Sequence, residues 1–296
     1  MRRLVLIDGH SLLHRAFHAL PPLTTPTGEP IGAVYGLTRM LLKLFADLAP
    51  TYVGIAMEAK GPTLRHKKFA AYKEQRPKMD EALAAQIDSA HRLLETLEIP
   101  YYLAEGYEGE DVIASLINKV GKKVDEVVIV TGDRDLFQLI GGNVRLFIPE
   151  KGLSEGKMYG TREVVEKLGI RPDQIVDYKA LRGDPSDNIP GVRGIGEKTA
   201  KELLRHYGSL ASVYMHLEEL PQKTRKLLEE GREQAQLSQA LATIVSDAPI
   251  KPELKEWDEG ILRDKKVQEL FLKFGFKSLL GTQKPRLADD SQPRLI

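Results

Sequence analysis

The 296-residue chain contains no cysteine. Disulfides and thiolate metal sites are therefore excluded, and a reducing compartment is expected. Long apolar runs are missing too. After "MRR" the short run "LVLI" is cut by Asp8 before it reaches signal-peptide length, and no stretch is long enough to span a bilayer. The expectation is a cytoplasmic protein with no membrane partner. An excess of either charge is also lacking: 43 Lys and Arg stand against 42 Asp and Glu, for a net charge of +1. That balance says nothing by itself about nucleic acid, because opposite charges can be segregated along a chain.

Here they are segregated. The stretch "KGPTLRHKKFAAYKEQRPK" carries Lys60, Arg65, Lys67, Lys68, Lys73, Arg76 and Lys78 against the single acid Glu74. A hydrophobic content of 42% with 29% charged residues is that of a globular protein able to bury a large core. The first half alternates β-type runs, "RLVLID" (3–8), "YVGIAM" (52–57), "DEVVIVTGD" (125–133) and "NVRLFIP" (143–149), with helical periodicity at 31–48, 79–97 and 108–121. That alternation predicts an α/β fold, a mainly parallel sheet flanked by helices. Beyond about Gly160 the strand signal fades into short helices joined by Gly- and Pro-rich turns. The expected organisation is a core over 1–160, a helical subdomain over 161–280 and a polar, aperiodic tail over 281–296.

In open parallel sheets, ligands gather outside the carboxyl ends of the strands. Asp8 ends the first run and Glu58 follows the second, while Asp133 and Asp135 of "TGDRD" follow the third. Glu108, Glu110 and Asp111 crowd one helix start in "YEGEDVIAS", and Asp184 and Asp187 share the turn "RGDPSDNIPG". Each alone is an ordinary cap or turn residue. Nine carboxylates from five segments at one sheet edge would repel one another without cations. Oxygen-only ligation points to hard ions, Mg²⁺ or Mn²⁺, and paired ions of this kind serve in-line phosphoryl transfer.

Two further stretches point to a nucleic acid. "GVRGIGEKTAKELLRHYGS" places Gly194 and Gly196 in a tight turn, with Lys198 and Thr199 opening a helix. It resembles a helix-hairpin-helix turn (191–200), whose backbone N–H groups meet a phosphate, and such turns commonly hold a monovalent cation such as K⁺. In the cationic stretch, taken alone a solvated loop and helix face, Phe69 and Tyr72 are interleaved with Arg65, Lys68 and Lys73. Rings beside cations can stack on a base, and the cations would offset charge at a phosphate.

Together "LVLIDGHSLLHRAFHALPPLTTPTGEPIGAVYGL", "GPTLRHKKFAAYKEQRP", "GYEGEDVIAS", "TGDRDLFQL" and "LRGDPSDNIPGVRGIGEKTA" resemble the 5′–3′ exonuclease domain of bacterial DNA polymerase I, a flap-endonuclease relative with a PIN-like core. The resemblance implies two divalent ions held by Asp8, Glu108, Asp111, Asp133, Asp135, Asp184 and Asp187. It implies a flexible arch over about 60–82, with Lys73 and Arg76 at the scissile phosphate and Tyr72 stacking. The implied partner is DNA with a 5′ end or flap, or an RNA–DNA hybrid, and the expected state is a monomer. Glu58 and Glu110 stand where the family usually has Asp, which extends each carboxylate by about one bond length and predicts a looser site. A second reading is a structure-specific DNA-binding protein of this fold with weak or lost nuclease activity. A third, a Mg²⁺-dependent phosphatase, leaves the 191–199 turn and the cationic stretch unexplained. The sequence is compatible with a free-standing protein or with part of a polymerase.

Overall fold

The computed structural model describes residues 1–151 and 155–280; the expected tail at 281–296 lies outside them. Six strands form one sheet, β1 (Arg3–Asp8), β2 (Tyr52–Ala56), β3 (Tyr101–Tyr102), β4 (Glu126–Val130), β5 (Val144–Lys151) and β6 (Glu155–Tyr159), in the order β3-β2-β1-β4-β5-β6. All neighbours pair in parallel except β5 and β6. The four strands read from the sequence are present within a few residues of their expected bounds. The two that escaped it lie at the edges: β3 has only two residues, and "EGKMY" of β6 lacks an alternating apolar pattern and is a strand through its pairing with β5.

Side chains alternate across each strand. Val5 and Ile7 of β1 enter one core with Val53, Ile55, Val128 and Val130, whereas Leu4 and Leu6 enter the opposite core with Val127, Ile129 and Leu146. The first face is covered by α1 (Gly9–Ala19), α2 (Gly32–Leu48) and, beyond the basic stretch with its short α3 (Leu64–Lys68) and α4 (Glu81–Ala84), by α5 (Ile87–Thr96). The second is covered by α6 (Gly109–Val120) and by Val164 of α7 (Thr161–Leu168). One helix expected over 79–97 is broken between α4 and α5. Gln86 turns inward there, accepting from the N–H of Ala33 at 2.8 Å and donating to the Ala82 carbonyl. Its amide caps the start of α2, and the break is where it leaves helical register.

The later helices are α8 (Ile175–Arg182), α9 (Glu197–Tyr207), α10 (Leu210–Met215), α11 (Gln222–Glu230) and α12 (Arg232–Ala242), around a third core of Leu181, Val192, Leu204, Val213 and Leu228. The last helix, α13 (Lys265–Phe274), does not stay with them. Val267, Leu270, Phe271 and Phe274 return to the α1–α2 face of the sheet, so the chain after residue 260 completes the first core.

Candidate metal centre

In this strand order, successive connections run to opposite sides from β1 and β4, so the cleft between their carboxyl ends is the topological switch point where ligands bind. Asp8, the last residue of β1, caps α1 by accepting from Ser11 N–H at 3.0 Å, and its second oxygen accepts from Thr131 Oγ1 at 2.8 Å. Thr131 in turn accepts from Asp133 N–H, and Asp133 accepts from Asp135 N–H, both at 2.9 Å. These bonds fold "TGDRD" into a compact turn that leads into a 3₁₀ segment, Asp135–Leu139. Asp8, Glu58, Asp133 and Asp135 line one open cavity of about 700 Å³, with His10, His14, Arg76 and Ser186. Glu58 is set there by its backbone N–H, which donates to His10 Nδ1 at 3.0 Å.

The turn "RGDPSDNIPG" brings its acids in from the helical part. Asp184 and Ile189 exchange backbone bonds at 2.9 Å, closing the loop. Gly183 and Gly191 sit at φ +79° and +63°, and a side chain on Gly191 would meet the backbone of Gly183 at 2.2 Å. Only glycine allows that crossing, and the crossing aims Asp184 and Asp187 at Asp135.

Two triads result. Carboxylate oxygens of Glu110, Asp133 and Asp135 lie within 4.8 Å of one another, and so do those of Asp135, Asp184 and Asp187. Asp135 belongs to both. Such crowding shows in the acidities. Burial, reinforced by Asp133 and Glu58, raises the Asp8 carboxyl to about 6. Burial likewise raises Asp135 to about 6, with Lys179 opposing and Asp133 and Asp187 reinforcing. Burial pushes Glu110 well above the carboxylate range despite the pull of Arg65. Carboxylates held at such cost, with oxygen donors only, fit a hard divalent ion.

Not every expected ligand joins a triad. Asp8 and Glu58 line the cavity beside them. Glu108, 5% exposed, accepts from Lys73 Nζ at 2.5 Å and from Thr63 Oγ1 at 3.1 Å. Asp111 is turned away altogether: Arg65 takes both its oxygens, which also accept from the N–H groups of Val245 and Glu108 at 3.0 Å. Asp111 thus joins neither triad here and anchors Arg65 instead.

The cationic stretch also differs from expectation. Arg65, expected to face DNA, is buried, held by Asp111, by Glu110 at 2.8 Å and by the carbonyls of Leu241 and Thr243. Tyr72, expected to stack on a base, is 2% exposed, packed against Ile189, Leu241 and Ala242, with its hydroxyl 3.4 Å from Glu108 and Asp187. The intended arch is thus folded down as a strap. Lys73 takes an unusual φ of +55° and its N–H donates to the Asp187 carbonyl at 3.0 Å, while Arg76 pairs with the Asp187 carboxylate. A non-glycine residue in that conformation persists only where its surroundings hold it there. Lys68 is exposed, and Arg76 is half exposed beside the cavity.

At the far side, Gly194 (φ +90°) and Gly196, the N-cap of α9, form the expected turn. Nothing lies within 4 Å of where a Gly196 side chain would stand, and the Lys198 side chain is 90% exposed. Thr199 follows in the first turn of α9, partly buried. One residue escaped the sequence reading. Lys179, on α8, pairs with Asp135 and with Asp184, the latter at 2.6 Å. A cation in the last turn of a helix looks like a partner for the helix dipole, so nothing in the sequence marked it.

The profile of the 5′–3′ exonuclease N-terminal resolvase-like domain matches residues 3–169, and that of the 5′–3′ exonuclease C-terminal SAM fold matches 170–264. The chain belongs to the 5′–3′ exonuclease family. Among relatives, the DNA polymerase I of Caldicellulosiruptor bescii is 40% identical over 94% of this chain, and that of Bacillus subtilis 39% identical over 98%. The chain spans about a third of each polymerase's length, 33% in both cases. The fold is shared with the D15 protein of bacteriophage T5 co-crystallized with metal ions (TM-score 0.68, 22% identity, 81% of this chain and 89% of that one). It is shared also with the catalytic core of Rad2 in complex with DNA substrate (TM-score 0.60, 16% identity, 93% and 88%). No helix among the described residues is long and apolar enough to cross a membrane.

Proposed function

We propose that this member of the family is a structure-directed 5′ nuclease that hydrolyses phosphodiester bonds at the 5′ end or flap of DNA, or of an RNA–DNA hybrid, in primer and flap removal. The observation that carries the reading is Asp135, shared by two carboxylate triads at the switch point of the sheet. Glu110, Asp133 and Asp135 would hold one ion and Asp135, Asp184 and Asp187 the other, with Asp8 and Glu58 lining the same cavity as Asp133 and Asp135. Bound Mg²⁺ or Mn²⁺ would supply the Lewis acidity that activates water and stabilises the leaving oxygen.

The chain's own groups do the rest. Lys73 and Arg76 line an adjoining cavity with Glu58 and His14, where their charges face a phosphate at the metal centre and offset charge that grows in the transition state. Lys68 and Lys198, both exposed, meet the phosphate backbone. The N–H groups at the start of α9, with Gly194, Gly196 and Thr199, grip a duplex phosphate, and carbonyls of that turn suit K⁺. The protein acts as a monomer, with residues 1–160 carrying the chemistry and the helical part the duplex contacts.

The reading of a DNA-binding protein with weak catalysis draws on Arg65 and Lys179, which hold Glu110 and Asp184 in ion pairs. A 5′-labelled flap duplex incubated with Mg²⁺, with Mn²⁺ or with chelator separates the two. Metal-dependent release of the flap is the expected result. Tight binding without cleavage in either metal would favour the weaker reading.

A further inference from the structure

Lys179 places a cation between two of the expected metal ligands. Its ammonium bridges Asp135 and Asp184, two of the three acids in the second triad. The residue is 9% exposed. Burial alone would favour the neutral amine, but Asp135 and Asp184 outweigh it and push the Lys179 pKa above its ordinary value. A buried charge of this kind is held by its partners, and removing a partner is costly. The first triad is arranged differently. Its Asp133 lines the open cavity, and the cation beside Glu110, Arg65, is fixed by Asp111 and two carbonyls. Arg65 cannot leave without dismantling that network. Lys179 can, because its charge sits at the end of a flexible four-carbon stem, and the cavity lined by Asp135 and Ser186 lies next to it.

We infer that Lys179 is a built-in counter-ion for the second metal position: its ammonium fills the Asp135–Asp184 gap in the metal-free chain, and the second ion enters only as the ammonium withdraws. The two positions are then unequal by construction. Lys179 pairs two ligands of the second position, Asp135 and Asp184, but only the shared Asp135 of the first, so the second ion meets the larger competing charge. Lys179 is a positioning residue in this account, acting on the ion through Asp135 and Asp184. The inference rests on the two-ion reading of the site.

The test is a Mn²⁺ titration of the whole chain, followed by calorimetry and by electron paramagnetic resonance of free Mn²⁺, without DNA. Wild type should show a tight and a weak class. Lys179→Met should tighten the weak class by about tenfold or more while moving the tight one by less than about threefold, and Lys179→Arg should keep the gap. A second measurement needs no variant: acetylation of lysines by an N-hydroxysuccinimide ester, read by mass spectrometry. Lys179 should be protected in chelator and labelled several-fold faster when Mn²⁺ saturates both classes. A weak class unchanged or weakened in Lys179→Met, or Lys179 labelling that does not rise with Mn²⁺, overturns the inference while leaving the two-ion reading intact. Absence of any Mn²⁺ binding, in all three proteins, would overturn that reading itself.

Discussion

The guanidinium of Arg65 grips the carboxylate of Asp111 through two parallel bonds, Nη1 to Oδ2 at 2.7 Å and Nη2 to Oδ1 at 2.9 Å. Around that pair three parts of the chain meet: α3, the start of α6, and the C-terminal end of α12, where the Leu241 and Thr243 carbonyls complete the guanidinium's partners. Arg65→Ala should leave Asp111 and Glu110 buried without their cation, and should cost about 3–5 kcal/mol. Thermal unfolding in chelator measures this. The paired statement is that Arg65→Ala should not change the salt dependence of duplex binding, since Arg65 is not on the surface.

Two acids of the cleft, Asp8 and Asp135, make a pH-dependent contribution to stability in an unusual direction. Asp8 and Asp135 are each raised from 3.8 to about 6, so the folded chain holds these protons more tightly than the unfolded one. Their contribution favours folding below about pH 4 and is lost as pH climbs through about 6. At about 1.4 kcal/mol per unit, reduced for partial exposure, the loss is on the order of 2–3 kcal/mol. In chelator, the double variant Asp8→Asn with Asp135→Asn should flatten the pH dependence of the melting temperature. With Mg²⁺ present, wild type should instead gain stability as pH rises, because metal binding releases those protons.

Much of this was legible in the sequence. The apolar, β-branched runs at 3–8 and 126–130 announce buried parallel strands, and an acid at the end of each leads directly to the switch point. What escaped depends on distance along the chain. That Arg65 is internal follows from partners 46 and 176 residues away, which no local pattern reports. Glu110 and Asp111 are adjacent acids at one helix start, yet one joins a triad and the other anchors Arg65. Their difference is set by α12 and the strap together with the bond Asp111 accepts from the Glu108 N–H. Tyr72 looked like a ring among exposed cations because the apolar residues that bury it, Ile189 and Leu241, arrive from the helical half.

The extra methylene of the two unusual glutamates was expected to loosen the site. In the structure Glu110 reaches the first triad and Arg65 at once, while Glu58 lines the cavity beside it. Glu110→Asp with Glu58→Asp would retract each carboxylate by about one bond length. Single-turnover cleavage of a flap duplex in Mg²⁺ should therefore slow, by about tenfold for ~1.4 kcal/mol of barrier. A faster double variant would restore the looser picture.

Positioning and chemistry separate at two lysines. Lys198→Ala should weaken duplex affinity and lower the salt slope by about one, as for one lost phosphate contact. Lys73→Ala should cut the single-turnover rate more than affinity, because its charge is wanted where charge develops. If both variants lose affinity alone, the strap is a binding surface only.

The central claim is that Asp135 serves both ions. Single-turnover cleavage of a 5′-flap duplex by Asp135→Asn in Mg²⁺, beside duplex affinity measured in Ca²⁺, tests it most directly. The account predicts a rate lower by about a thousandfold or more, ~4 kcal/mol of barrier, with affinity held or improved by the loss of a negative charge. A rate within about tenfold of wild type would contradict it.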